Sequence, residues 1–122
     1  MPDQQKIKYA PADPVSVQVF QLSPHVLVYA VWTKEPNQPW QMRTNGSMMG
    51  QSFSTTPFSL GVVKQETQLY ISLGFGGKQT HYEGRVELSQ PNHTTDSSGV
   101  FKASNNKKTE DAFVVFQGVF AP

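Results

Sequence analysis

The sequence predicts an all-β fold, a single-domain antiparallel β-sandwich of about eight strands with immunoglobulin-like or jelly-roll connectivity. Of the 122 residues, 38 are valine, isoleucine, phenylalanine, tyrosine, tryptophan or threonine, which suit a pleated sheet, and only 21 are alanine, leucine, methionine or glutamate. Nine prolines leave few windows for a helix of three turns. Turn-forming residues recur at intervals of roughly 8 to 15 residues, as in a sandwich. The length indicates one domain spanning 1–122.

The first half of the chain alternates apolar and polar residues between turn signals. A polar leader at 1–14, which can be extended, precedes alternating valines at 15–19, and these predict a half-buried strand. Because the apolar residues then change faces, a bulge is expected near Val19 or Phe20. Segment 25–32 is apolar on both faces, which predicts a strand in the middle of a sheet.

The next segments predict shorter strands and a tight turn. A short strand over 40–44 is expected to end in a hairpin turn at Asn45 and Gly46, the dipeptide that most favours such a turn. A short edge strand is predicted at 51–54. Pro57 begins a further strand that reaches residue 62.

The clearest alternation in the chain lies over 68–75. Gly76 and Gly77 follow it, and both tolerate the positive backbone angles of a two-residue turn. The sequence therefore predicts a hairpin between 68–75 and a return strand over 82–88. One face of the first strand is expected to be buried, and it carries Leu69, Ile71, Leu73 and Phe75.

After a short strand at 99–103, the chain closes with a strand over 112–120 that is apolar on both faces. Phe113, Val115 and Val119 lie on one of those faces. A strand of this kind needs cover on both sides, either from a central position in the sandwich or from another subunit. The sequence therefore predicts a homo-oligomer whose interface includes these three residues.

Charge and cysteine content exclude several classes of protein. Ten basic and nine acidic side chains give a net charge of +1, which implies no nucleic-acid partner. Without cysteine there is no disulfide scaffold, thiol nucleophile or thiolate-bound metal. No metal site and no cofactor are predicted. Whether Asp96, Glu110 and Asp111 converge on a calcium ion stays open at this point.

No motif for catalysis occurs. The three histidines, His25, His81 and His93, have no recognised metal-ligand spacing, and no serine has the spacing of a nucleophile elbow. We therefore expect no catalytic residues and no enzyme. An enzyme would require one of these histidines within hydrogen-bond reach of a carboxylate or a serine.

The sequence predicts no membrane-spanning segment, because no stretch approaches the roughly 18 to 20 consecutive apolar residues that a spanning helix requires. The polar first residues predict no signal peptide. A soluble protein is expected, either cytoplasmic or exported by a leaderless route.

Neutral polar residues near an aromatic residue suggest a ligand site. Glutamine, asparagine, serine and threonine make up 37 of the 122 residues. Trp40 follows a proline-flanked loop that contains Asn37, and a second polar loop carries Asn92, His93, Thr94 and Asp96. Aromatic stacking beside neutral hydrogen-bonding groups suits a sugar, so the sequence predicts a lectin-like module for a carbohydrate or cell-surface ligand. The alternative is a structural or interaction protein, such as a surface, toxin or particle component, that forms a homo-oligomer without a small-molecule site.

Overall fold

The computed structural model describes residues 5–21, 27–48, 55–75, 82–91, 93–94, 100–105 and 112–121. These residues form strands and turns, and among them no helix is long and apolar enough to cross a membrane. The all-β prediction is confirmed. The ten strands are β1 (Gln5–Lys8), β2 (Pro14–Gln21), β3 (Leu27–Lys34), β4 (Gln41–Met48), β5 (Phe58–Val62), β6 (Gln68–Phe75), β7 (Tyr82–Gln90), β8 (His93–Thr94), β9 (Val100–Asn105) and β10 (Ala112–Ala121).

The strands form two sheets. The first sheet has the order β1-β10-β6-β3-β4. The second has the order β5-β2-β7-β8, with β9 also paired to β7. Neighbouring strands are antiparallel except β1, which runs parallel to β10. The predicted two-sheet sandwich is confirmed, whereas the choice between immunoglobulin-like and jelly-roll connectivity stays a prediction.

The core lies between the two sheets and follows the alternation of the sequence. All four apolar residues of the inner face of β6 are buried, as predicted. The second sheet contributes Val17, Val19, Val86 and Leu88 to the same cluster. Each large apolar side chain removed from water contributes about 1.5–3 kcal/mol to the stability of the fold. The burial of this shared core is therefore the main interaction that holds the two sheets together.

The predicted hairpin between 68–75 and 82–88 is wrong. β6 pairs with β3 and β10 in the first sheet, whereas β7 pairs with β2, β8 and β9 in the second. Both strands bury one face, as expected, but they bury it from opposite sides of the core. The alternation of apolar and polar residues predicts which face of a strand is buried. The same alternation occurs whether the next strand in sequence pairs with that strand in one sheet or lies in the opposite sheet.

The predicted turn at Asn45 and Gly46 is also wrong, because β4 continues through both residues. Asn45 pairs with Ala30 and Gly46 pairs with Tyr29 on β3. The side chain of Tyr29 lies against Gly46: its hydroxyl oxygen is 2.6 Å from the position that a Cβ atom would occupy. Gly46 therefore serves close packing in a strand and not a turn.

The structure has a bulge in β5, next to β2, and not in β2 as predicted. The β2 ladder with β7 is regular from Ser16 to Gln21, so no bulge occurs near Val19 or Phe20. Instead the register with β5 shifts between Val15 and Ser16, opposite Gly61, which has a φ of 75°. The edge strand predicted at 51–54 lies outside the described residues.

The N-terminal leader contributes more than a polar extension. Ile7 on β1 is fully buried, and the hydroxyl of Tyr9 donates a hydrogen bond of 3.0 Å to the carbonyl oxygen of Val63. The Tyr9 ring also meets Phe120 edge to face, with 5.2 Å between ring centroids. These contacts attach the leader to both the core and β10.

Several connections meet at one end of the sandwich. Gln90, at the end of β7, donates to the carbonyl oxygens of Ala10 and Asp13 at 2.8 and 3.0 Å. Its own Oε1 accepts a hydrogen bond of 2.9 Å from the Ala10 amide. Glu35 and Lys64, on two other connections, form an ion pair of 3.6 Å. Because Pro14 pairs with Val62, both sets of connections lie at one end, and the connection that carries Trp40 therefore lies at the same end as Gln90.

Candidate functional site

The outer face of the first sheet carries a row of three side chains. Trp32 on β3 is paired with Tyr70 on β6, and Tyr70 is paired with Gln117 on β10. The residues that flank each of them along its strand point into the core, so these three point outward. All three are half-buried. Adjacent strands thus place an indole, a phenol and an amide side by side.

Trp40 joins this row from the connection between β3 and β4. That connection turns through residues 35–38, where the Gln38 amide donates a hydrogen bond of 3.0 Å to the carbonyl oxygen of Glu35. Asn37 adopts a φ of 63°, a left-handed conformation that asparagine tolerates better than most residues. The turn brings Trp40 back over the sheet, where its ring meets that of Tyr70 edge to face at 6.1 Å.

Trp32, Trp40, Tyr70 and Gln117 line an open groove of about 460 Å³, which we call the aromatic groove. The volume lies within the usual range of small-ligand sites. The two indole N–H groups, the Tyr70 hydroxyl and the Gln117 amide offer neutral donors and acceptors around flat apolar rings. Both tryptophans of the chain line this groove.

Exposed apolar side chains extend the surface around the aromatic groove. Met42, paired with Trp32 across β4, is 47% exposed, and Val28 is 53% exposed. The outer face of the second sheet has a different character. There the Arg85 guanidinium lies 4.4 Å from the centroid of the Phe20 ring and 3.7 Å from a carboxylate oxygen of Glu87.

The structure brings only part of the predicted ligand site together. Trp40 lines the aromatic groove, and Asn37 supports the turn that precedes it. His93 and Thr94 form β8, which belongs to the second sheet and pairs with Ser89 and Gln90. Their side chains, together with Asn92 and Asp96, lie outside the described part of the chain. The proposed ligand role of these four residues stays a prediction.

Two residues of the predicted oligomer interface lie on the same outer face of the first sheet as the aromatic groove. Val115 and Val119 lie on β10 on either side of Gln117, half-buried and pointing outward. The inward face of the same strand contributes Phe116 and Phe120 to the core. The side chain of Phe113 lies outside the described residues. The interface itself stays a prediction.

Three residues of the aromatic groove were missed by sequence reasoning. The alternation of β6 does predict that Tyr70 points outward. Because β3 is apolar on both faces, its sequence is also consistent with an outward position of Trp32. The missing information was that β3, β6 and β10 are neighbours, since strands distant in sequence pair here.

Metal and acid–base chemistry receive no support from the residues whose side chains are described. Among them, no group of three histidine, aspartate or glutamate residues could hold a metal ion. His25, His81 and the calcium candidates Asp96, Glu110 and Asp111 lie outside the described positions. Burial, and to a smaller extent the charge of Glu66, raises the pKa of Tyr9, but this phenol belongs to the core.

Fold and surface together define a two-sheet β-sandwich with an aromatic groove on one outer face. Comparisons with protein-family models, with curated proteins and with solved structures find no match for this chain.

Proposed function

We propose that this protein is a non-enzymatic, lectin-like binding module whose aromatic groove holds a carbohydrate. One observation carries the proposal: Trp40 is 40% exposed, it meets Tyr70 edge to face, and it shares an open groove with a second indole and an amide. This combination offers an apolar platform with neutral hydrogen-bonding groups at its rim.

The chemistry of the aromatic groove suits a sugar ring. A pyranose has apolar C–H faces and a rim of hydroxyl groups that both donate and accept hydrogen bonds. Flat indole and phenol rings match the C–H face, and the Gln117 amide can donate to one hydroxyl while it accepts from another. Because the groove is open, it suits one residue of an extended saccharide, and several copies of a weak site gain avidity on an oligomer.

The test is a glycan array followed by titration of the intrinsic tryptophan fluorescence. Since both tryptophans line the aromatic groove, a bound saccharide should change the emission spectrum directly. We expect Trp40→Ala to weaken binding about ten- to thirtyfold, because loss of an aromatic anchor costs about 1.4–2 kcal/mol. Phe20→Ala removes an aromatic ring from the opposite outer face and is the matched control.

Two results would contradict the proposal. One is an array on which the folded protein binds no saccharide. The other is a saccharide whose affinity is unchanged by Trp40→Ala, since the binding site would then lie elsewhere.

A second candidate function is a homo-oligomeric structural or interaction protein. Val28, Trp40 and Met42 are all large apolar residues at least 40% exposed, and they share the outer face of the first sheet with Val115 and Val119. An apolar surface of this kind favours association. Sedimentation velocity of the wild type and of Val28→Asp tests this function: loss of a stable oligomer in the variant supports it, and a wild-type monomer at all concentrations contradicts it.

A further inference from the structure

The first sheet carries cationic side chains and no carboxylate. None of its five strands contains an aspartate or a glutamate. They contain four basic residues, Lys6, Lys8, Lys34 and Arg43. Arg43 is occupied at the β4 edge, where it donates to the Thr33 hydroxyl and to the carbonyl oxygen of Leu60. The other three cations of this sheet are lysines near the end where Trp40 lies.

Lys34 is the lysine closest to the aromatic groove in the strand register. It follows Trp32 by two positions on β3, so both residues point to the outer face, about 6.6 Å apart along the strand. It pairs with Gln68, two positions from Tyr70 on β6. The last β3–β4 pair is Thr33 with Gln41. Lys34 and Trp40 are the two residues that follow this pair on the side of the connecting loop, so they lie at the same level of the hairpin.

Two described carboxylates, those of Glu35 and Glu66, lie on the connections that follow β3 and precede β6. Glu35, next in sequence, forms its 3.6 Å ion pair with Lys64. Glu66 lies close enough to the buried phenol of Tyr9 to affect it electrostatically. Within the part of the chain that the structure describes, no acidic group forms an ion pair with Lys34. A half-buried cation two strand positions from Trp32, which lines the aromatic groove, is therefore left to interact with a ligand.

We infer that the aromatic groove selects an anionic saccharide, in which the sugar ring stacks on Trp40 and a carboxylate or sulfate group faces Lys34. This inference rests on the proposed carbohydrate-binding function and adds the charge of the ligand to it. The shared chemistry is a fixed negative charge on a pyranose, carried either by a uronate or by a sulfate ester.

The experiment compares each anionic saccharide with an uncharged counterpart. Trigalacturonate is titrated beside its methyl ester, and lactose 6′-sulfate beside lactose, with tryptophan fluorescence as the readout. We expect the charged member of at least one pair to bind five- to tenfold more tightly at low salt. This preference should shrink when NaCl rises to 0.5 M, because salt screens charge–charge attraction.

Three variants assign the preference to a residue. Lys34→Gln should remove the preference for the charged ligand, and Lys34→Arg should retain this preference. Lys8→Gln removes an exposed lysine of the same sheet, on the edge strand β1, and should leave the preference unchanged. The pair that shows the effect identifies the anion as carboxylate or sulfate.

Equal binding of the charged and neutral members, both lost in Trp40→Ala, would overturn this inference and leave the carbohydrate-binding function standing. A charge preference that survives Lys34→Gln would overturn the role of Lys34. If the folded protein binds no saccharide on these panels or on the array, the inference and the proposed function fail together.

Discussion

Gly46 and Tyr29 illustrate how one residue decides the course of a strand. The sequence pattern around Asn45 and Gly46 is typical of a turn. In the structure, however, the Tyr29 ring from the neighbouring strand fills the space that a side chain at Gly46 would occupy. The local preference for a turn is outweighed because β4 gains a full ladder with β3 and the tyrosine gains a contact surface.

We predict that Gly46→Ala destabilises the protein by about 1–3 kcal/mol, the usual cost of overpacking a close contact. A new Cβ atom would lie 2.6 Å from the Tyr29 hydroxyl oxygen and 2.9 Å from Cζ, so the ring must move. Urea denaturation measures the change in the free energy of unfolding. The matched control is Gly74→Ala, where the nearest atom is the Val28 carbonyl oxygen at 3.8 Å.

The control should change the free energy of unfolding by less than about 0.5 kcal/mol. Tyr29→Phe in the Gly46→Ala background removes the Tyr29 hydroxyl oxygen, the atom closest to the new Cβ. It should therefore restore part of the lost free energy of unfolding. Equal stabilities of Gly46→Ala and Gly74→Ala would show that Tyr29 does not occupy the space over Gly46.

Tyr9 gives the fold a pH dependence in the alkaline range. Burial, followed by the charge of Glu66, raises the pKa of Tyr9 above its usual value of 10.0. As the pH rises above 10, the unfolded chain releases the phenolic proton before the folded chain does, so the folded state loses stability. Below pH 10 this contribution is fully present.

We predict that Tyr9→Phe loses less stability than the wild type as the pH rises above about 10, because phenylalanine has no proton to release. At neutral pH the variant should be less stable by about 1 kcal/mol, since it lacks the hydrogen bond to the Val63 carbonyl oxygen. Urea midpoints measured across this pH range test both effects. Parallel curves for the two proteins would contradict the assigned environment of Tyr9.

At the scale of the strands, the sequence predicts faces better than neighbours. The buried face of β6 and the interior position of β3 follow directly from where the apolar residues fall. The separation of β6 and β7 into different sheets does not, because it depends on pairings between residues far apart in the chain. Short polar strands are also difficult: β1 has one apolar residue among its four.

We predict that Ile7→Ala costs about 2–5 kcal/mol, the range for a large-to-small change in a packed core. Ile7 is fully buried although it lies in a strand of otherwise polar residues. Lys8→Ala, at the exposed neighbouring position, should change the stability by less than about 0.5 kcal/mol. Thermal denaturation of both variants tests whether β1 is part of the core; equal melting temperatures of the two variants would contradict the burial of Ile7.

At the scale of the whole molecule, the two outer faces differ in chemistry. The first sheet has aromatic, aliphatic and amide side chains with lysines at one end, whereas β7 of the second sheet carries both acidic and basic residues. The sequence identified Trp40 as an aromatic candidate because it follows a proline-flanked turn. It did not identify Trp32, Tyr70 and Gln117 as its partners, since their proximity exists only in the assembled sheet.

The central claim is that a saccharide binds on the outer face of the first sheet. Its most direct test is a ¹H–¹⁵N correlation spectrum recorded during titration with a saccharide selected on the array. The chain has two tryptophans, so two indole N–H signals report on the aromatic groove. We predict that the two indole signals and the signals of the Gln117 side-chain amide all change their chemical shifts. The backbone amide signals of β2 and β7 should keep theirs. Shifts confined to the second sheet, with both indole signals unchanged, would contradict the claim.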